Sequence, residues 1–137
     1  YTLFLHDALP IASGFYEWKV EQGHKQPYLL HRVDGAPFFM AGVWDRWAGD
    51  DVMPDGVAVI TTTANEVAAQ VDDRMPVILN PEEAAAWLLD EEAARTLMRP
   101  YAGAPMETFP VSTDVNSPRH DDASLLLPLP RKKPGLH

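Results

Sequence analysis

A carboxylate set inside an aromatic strand is the first feature of this chain that could do chemistry. Gly14-Phe15-Tyr16-Glu17-Trp18-Lys19 places Glu17 among residues that strands favour, with Gly14 marking where the strand begins. Side chains alternate along a strand, so Phe15 and Glu17 share one face while Tyr16 and Trp18 share the other. A carboxylate on the apolar side of Phe15 must be hydrogen-bonded, ion-paired or held with a raised pKa. The last condition is one way a protein makes a general acid or base. The alternative is an edge strand carrying an exposed Glu.

Three further clusters carry reactive or binding groups. Asp72-Asp73-Arg74-Met75-Pro76 sets two acids beside an arginine, which can be a metal site, a salt-bridged turn or a catalytic corner. With no His and no third acid nearby in sequence, the metal reading is the weakest. Trp44-Asp45-Arg46-Trp47 flanks an acid–base pair with two indoles, and its structural reading is a buried Trp cluster around an Asp45–Arg46 pair. Thr61-Thr62-Thr63-Ala64-Asn65 puts hydroxyls and an amide where a strand passes into a helix. Thr63 or Asn65 can cap that helix, and backbone N–H groups at such a start also suit a phosphate.

Many short elements must hold these groups, because thirteen prolines and eight glycines punctuate the chain. The expected order begins with a meander of three strands over residues 15–20, 28–32 and 38–43. Glu21-Gln22-Gly23-His24 makes the first turn and Asp34-Gly35 the second. The third strand, apolar on both faces, is central. An acidic loop over residues 48–56 leads to a β-branched strand at 57–62 and a helix running to about residue 71. A short strand at 77–79 follows. Asn80-Pro81-Glu82-Glu83 then starts a helix to about residue 89, with Asn80 as cap and the acids facing the positive end of the dipole. Asp90 caps a second helix over residues 91–98, residues 109–112 form a last strand, and Leu125-Leu126-Leu127 docks as an apolar anchor. The fold class is α+β, mainly antiparallel strands with a few short helices.

A length of 137 residues fits one domain with a proper core. Hydrophobic residues at 46% and charged residues at 23% are ordinary for a globular chain, and no apolar run is long enough to cross a bilayer. The absence of Cys leaves no disulfide, no thiolate nucleophile and no Cys-ligated zinc, and it fits the cytoplasm. A formal charge of −9 argues against non-specific nucleic-acid binding over the whole surface but not against a local basic groove. Residues 1–11 match neither a capped helix nor a partnered strand. They are expected to be non-native or disordered, and His6 and Asp7 within them are not read as a site. The domain spans residues 12–130, and residues 131–137 form a basic, disordered tail.

Five stretches taken together carry a resemblance: Gly14 to Lys19, Ala41-Gly42-Val43-Trp44-Asp45, Thr61 to Asn65, Asp73-Arg74-Met75-Pro76-Val77-Ile78-Leu79, and Pro110-Val111-Ser112 followed by Val115-Asn116. In order and spacing they resemble the SRAP family, the SOS-response-associated peptidases or abasic-site processing proteins. The resemblance implies a monomeric, nucleoid-associated protein that binds single-stranded DNA at abasic sites and needs no cofactor. It implies a cysteine at the mature N-terminus, exposed by removal of the initiator Met, that closes to a thiazolidine crosslink with the ring-opened sugar. Glu17 would move protons in that reaction, and Trp18 would stack on a base beside the lesion. Thr61 and Arg74 match positions that hold backbone phosphates.

Two departures qualify those implications. The family's N-terminal portion, with its Met-Cys-Gly start, has no counterpart, so this chain is expected to be a truncated domain unable to form the crosslink, with DNA binding weak or lost. The family usually has His where Asp72 stands. An imidazole can donate a proton near pH 7 whereas an ordinary Asp is an anion, and Asp72 close to Glu17 would raise one of their pKa values. The rival readings are a carboxylate hydrolase pairing Glu17 with Asp45 or Asp72, and a non-catalytic acidic interaction module.

Overall fold

The computed structural model describes residues 6–46 and 55–131. Among the described residues, eleven short strands and two α-helices make an α+β fold in which every strand pairing is antiparallel. In chain order the elements are β1 (His6–Ala8), β2 (Ile11–Ala12), β3 (Phe15–Glu21), β4 (His24–Arg32), β5 (Phe38–Met40), β6 (Gly42–Asp45), β7 (Gly56–Val59), β8 (Thr61–Thr63), β9 (Arg74–Pro76), β10 (Ile78–Leu79), α1 (Pro81–Leu89), α2 (Glu91–Thr96) and β11 (Met106–Pro110). The strands form sheets of order β11-β4-β3, β10-β5-β2 and β1-β6-β7, together with the pair β8-β9.

The β3–β4 hairpin closes as its residues require. Gln22 and Gly23 both take positive φ, 49° and 81°, between Glu21 and its partner His24, which matches the right-handed twist of the flanking strands. The expected continuation of the meander does not occur. Gly35 does turn with φ 72° and returns its N–H to Arg32 O, but β5 leaves for another sheet. The second edge of β4 pairs instead with β11, which runs over Met106–Pro110 rather than residues 109–112. Pro27 in this central strand has no N–H to offer β11. Gln26 supplies the missing donor: its side-chain amide reaches Val111 O at 2.8 Å, while Val111 N–H bonds Pro27 O at 3.0 Å.

The apolar run at 38–43 is central, as expected, but it serves two sheets. It breaks at Ala41, which is wholly buried. Two other chains break beside it, at Ile60 between β7 and β8 and at Val77 between β9 and β10. These three residues bond in a ring: Ala41 N–H to Val77 O, Val77 N–H to Ile60 O and Ile60 N–H to Ala41 O, each 2.9 Å. Backbone polar groups buried at a corner must find partners somewhere, and here each crossing chain supplies them for the next.

Two cores flank this corner. One packs Leu30, Phe38, Ala68, Met75, Ile78, Tyr101 and Met106, with Phe15 against it. The other packs Ala41, Val77, Leu79 and Leu97 around Trp87 of α1. The start of α1 matches its sequence: Asn80 accepts from Glu83 N–H, and the Glu83 side chain returns to Asn80 N–H. Asp90 caps α2, which is shorter than expected and ends at Thr96.

Several other expectations are corrected. Of residues 1–11, set aside on sequence grounds, those described, 6–11, lie inside the sheets: β1 pairs with β6, β2 pairs with β5, and His6 stacks on Trp44 at 4.4 Å. Central apolar strands need partners on both edges, and this segment supplies them. The helix expected up to residue 71 is a single 3-10 turn, Ala68–Gln70. Its N-cap is Val67, with no side-chain cap, rather than Thr63 or Asn65. Asn65 accepts from Ala68 N–H at 2.9 Å from two residues further back, and Ala64 N–H bonds Asp73 O and folds the chain straight back into β9. Of the Leu125–Leu127 anchor, only Leu125 is even half-buried, and Leu126 and Leu127 are exposed. The segment is held by its backbone, with Tyr16 OH donating to Leu125 O and Leu129 N–H to Pro110 O. Arg46 pairs with Asp55 at 3.6 Å, and meets Asp45 only through its backbone N–H. Trp44 is half-buried, while Trp47, most of the acidic loop at 48–56 and most of the basic tail lie outside the described residues.

Candidate functional site

Glu17 sits near the middle of β3, the edge strand of its sheet among the described residues, directly opposite Tyr28 of β4. Paired residues of an antiparallel ladder share a face. Glu17 and Tyr28 therefore lie on the same side as Phe15 and Leu30, which enter the first core. Partial burial at the rim of that core raises the Glu17 pKa above its ordinary value near 4.5, and the negative charge of Asp72 raises it further. A hydrogen bond from the Trp18 backbone N–H acts in the opposite direction. Beside it, burial and a hydrogen bond to Glu21 push the Tyr28 phenol up to about 12, so Tyr28 stays a neutral donor.

Asp72 lies between Ala68 and Met75, both of which enter the same core. It follows the 3-10 turn, bonds Ala68 O through its N–H, and accepts from Asp73 N–H at 2.8 Å. Its charge acts on Glu17 from 55 positions along the chain. Asp45 is not among the charges that act on Glu17. It ends β6 in a different sheet and caps Arg46 N–H, so a Glu17–Asp45 acid–base pair has no support.

The raised Glu17 pKa has a direct consequence for stability. A carboxyl whose folded pKa lies above its unfolded value binds its proton more tightly when folded. Its contribution is therefore complete below about pH 4 and is lost as pH rises through the folded pKa. Glu17→Gln is accordingly expected to be more stable than the parent at pH 7 and no more stable at pH 4. Urea midpoints at the two pH values check this, and an equal midpoint difference at both would refute the buried-carboxylate reading.

Arg74 and Thr61 form a second unit. In the β8–β9 ladder Thr63 faces Arg74, and the exposed guanidinium reaches diagonally to Thr61, donating to both its Oγ1 and its backbone O at 3.0 Å. Arg32, Arg46, Arg95 and Arg99 each pair with a carboxylate. Among the described residues Arg74 makes no such pair, so its charge is not neutralised by an internal partner.

Trp18 lies on the opposite face of β3 from Glu17, in register with Pro27, and is 38% exposed. Its indole N–H donates to Asn116 Oδ1 at 2.7 Å. Sequence reasoning placed Asn116 in a motif without giving it a task, and nothing near Asn116 in the sequence points to Trp18. The cleft on that outer face, about 410 Å³, is walled by Tyr16, Leu29, His31, Phe109 and Leu126. None of Glu17, Trp18, Thr61, Asp72 or Arg74 lines it. Among the described residues no group of three His, Asp or Glu side chains could hold a metal ion, and no helix is long and apolar enough to cross a membrane.

Comparison with known proteins returns one family. Residues 6–118 match the model of the SOS response associated peptidase (SRAP) family. The chain is 32% identical to the abasic site processing protein YedK of Escherichia coli, over 89% of this chain and 57% of that protein. It is 35% identical to the abasic site processing protein YoaM of Bacillus subtilis, over 84% of this chain and 53% of that protein. The crystal structure of a Bacteroides thetaiotaomicron protein superposes with a TM-score of 0.78 at 27% identity, covering 90% of this chain and 57% of the other. The chain thus spans about half the length of the curated relatives it matches.

Proposed function

The chain belongs to the SOS response associated peptidase family, and from that premise we propose that it carries the DNA-contacting part of an abasic-site processing domain. Its partner in this reading is a single strand of DNA interrupted by an abasic site. Arg74 and Thr61 take backbone phosphate, Trp18 stacks on a base beside the lesion, and Glu17 with Asp72 manages protons at the opened sugar. One observation carries the reading: Glu17, on the core-facing side of β3, is partly buried with the Asp72 charge acting on it, and both raise its carboxyl pKa above the ordinary value. A carboxyl so poised exchanges protons more readily near neutral pH than an exposed one.

The covalent step of the family is a different matter. A thiazolidine needs an amine and a thiol on one residue to condense with the aldehyde, and these 137 residues contain no Cys. The chain as it stands therefore binds without crosslinking. Asp72 stands at the position where the family usually has His, so in this reading the proton handling rests on Glu17 with Asp72 as its charged neighbour.

The test is fluorescence anisotropy with labelled single strands at low salt, where a local phosphate contact such as that of Arg74 is least screened. A strand with a tetrahydrofuran abasic analogue is expected to bind more tightly than the same strand intact, with no band surviving denaturing electrophoresis when a natural abasic site is used. Equal affinity for the two strands would remove the lesion from the proposal. Absence of binding to either would remove DNA altogether.

A further inference from the structure

We infer that Asn116 is a positioning residue: it holds the Trp18 indole in one orientation for stacking on a nucleobase. The inference rests on the proposed role of Trp18 and adds a residue that role requires.

The geometry is specific. Indole has a single hydrogen-bonding group, a donor, and in Trp18 it meets Asn116 Oδ1 at 2.7 Å, at the short end of the usual N–H···O range. The acceptor is fixed from behind. Trp18 faces Pro27 across the β3–β4 ladder, and Pro27 O accepts from Val111 N–H just beyond β11. The 3-10 turn Thr113–Asn116 therefore leaves the sheet in the same row as Trp18. Ser112 Oγ caps that turn through Asp114 N–H at 3.1 Å, and Ser117 N–H closes it on Asp114 O at 3.1 Å. A polar side chain at the end of a turn pinned at both ends reaches across 98 residues of sequence to one ring atom.

The bond contributes little to folding, because both partners are exposed and water serves each of them in the unfolded chain. What it fixes is the plane of a ring that would otherwise sample several rotamers. A stacking platform already ordered before binding avoids the entropy of being ordered by its ligand.

The experiment uses the labelled single strand with the tetrahydrofuran site. Asn116→Leu is expected to weaken binding about three- to tenfold, the cost of immobilising one mobile side chain on binding, with an unchanged thermal midpoint. Trp18→Phe keeps a stacking ring but has no donor. Adding Asn116→Leu to Trp18→Phe is therefore expected to change nothing, a coupling that a general structural role would not produce. In a nitrogen–proton spectrum, the indole signal that Trp18→Phe removes is expected to shift in Asn116→Leu. Parent-like affinity for Asn116→Leu alongside weakened Trp18→Ala overturns the inference, as does an equal loss in the Trp18→Phe background. If Trp18→Ala itself binds like the parent, the stacking role of Trp18 is what fails, and the positioning role falls with it.

Discussion

Trp87→Ala is expected to destabilise the fold by about 3–5 kcal/mol, the range for truncating a large buried aromatic to alanine. Trp87 is 4% exposed and stands at the centre of the second core, against Ala41, Val77, Leu79 and Leu97. Its indole N–H also donates to Gly42 O at 3.2 Å. α1 is nine residues long, too short to persist without packing. Its capping box shapes the N-terminus, but Trp87 fastens it to the sheets. A domain of this size has a total stability of about 5–15 kcal/mol, so the variant is expected to lose a large share of it and to melt well below the parent. Urea unfolding followed by far-UV circular dichroism checks this. A loss below about 1 kcal/mol would mean that neighbouring side chains collapse into the space. Gly42 makes that outcome hard to reach. A Cβ there would stand 3.0 Å from Pro10 Cδ and 3.1 Å from Ala58 O, so the backbone beside the ring is already closely packed.

Local signals in the sequence matched the elements they govern. Gln22-Gly23, Asn80 with Glu83, and Asp90 act within a few residues, and each forms the turn or cap that its chemistry favours. The alternation around Glu17 also holds, with Phe15 and Glu17 on the core side and Trp18 on the other. What failed depends on partners far along the chain. Nothing near Ala41 marks the break in an apolar run, because the break is set by Ile60 and Val77 crossing at the same point. β4 exchanges its expected neighbour for β11, and Gln26 reads as an ordinary polar residue until Val111 O needs a donor. Residues 6–11 look unstructured in isolation because their pairing surfaces, β5 and β6, lie some thirty residues later.

The candidate site divides along the same line. Glu17, Trp18, Thr61, Asp72 and Arg74 were singled out by residue type and motif, and the fold groups them into three units. The Asp72 charge acts on Glu17, Arg74 bonds Thr61, and Trp18 bonds Asn116 on the far side of β3. The last partner had no sequence signal of its own. The Asp45 alternative has no such support, since Asp45 is not among the charges that act on Glu17 and instead accepts from Arg46 N–H.

Arg74→Ala is expected to weaken binding to the abasic single strand by about tenfold or more, the worth of one charge-assisted hydrogen bond. The reasoning begins with charge. The chain carries −9 overall, and four of its arginines are held by its own carboxylates. Arg74 is instead held by a hydroxyl and a carbonyl of Thr61, which orient the guanidinium without cancelling its charge. Those two bonds use one terminal nitrogen and leave the rest of the planar fork for a phosphate. A phosphate contact also releases a counterion, so the slope of log affinity against log salt is expected to become shallower by about 0.7 in the alanine variant. Arg74→Lys separates the two effects. It keeps the charge and so the slope, but loses the fork and with it part of the affinity at fixed salt. Because Arg74 is exposed and outside both cores, neither variant is expected to move the urea midpoint, so a loss of binding cannot be put down to unfolding. A parent-like affinity and slope for Arg74→Ala would place the phosphate contact elsewhere and leave the Arg74–Thr61 unit as a clasp between β8 and β9.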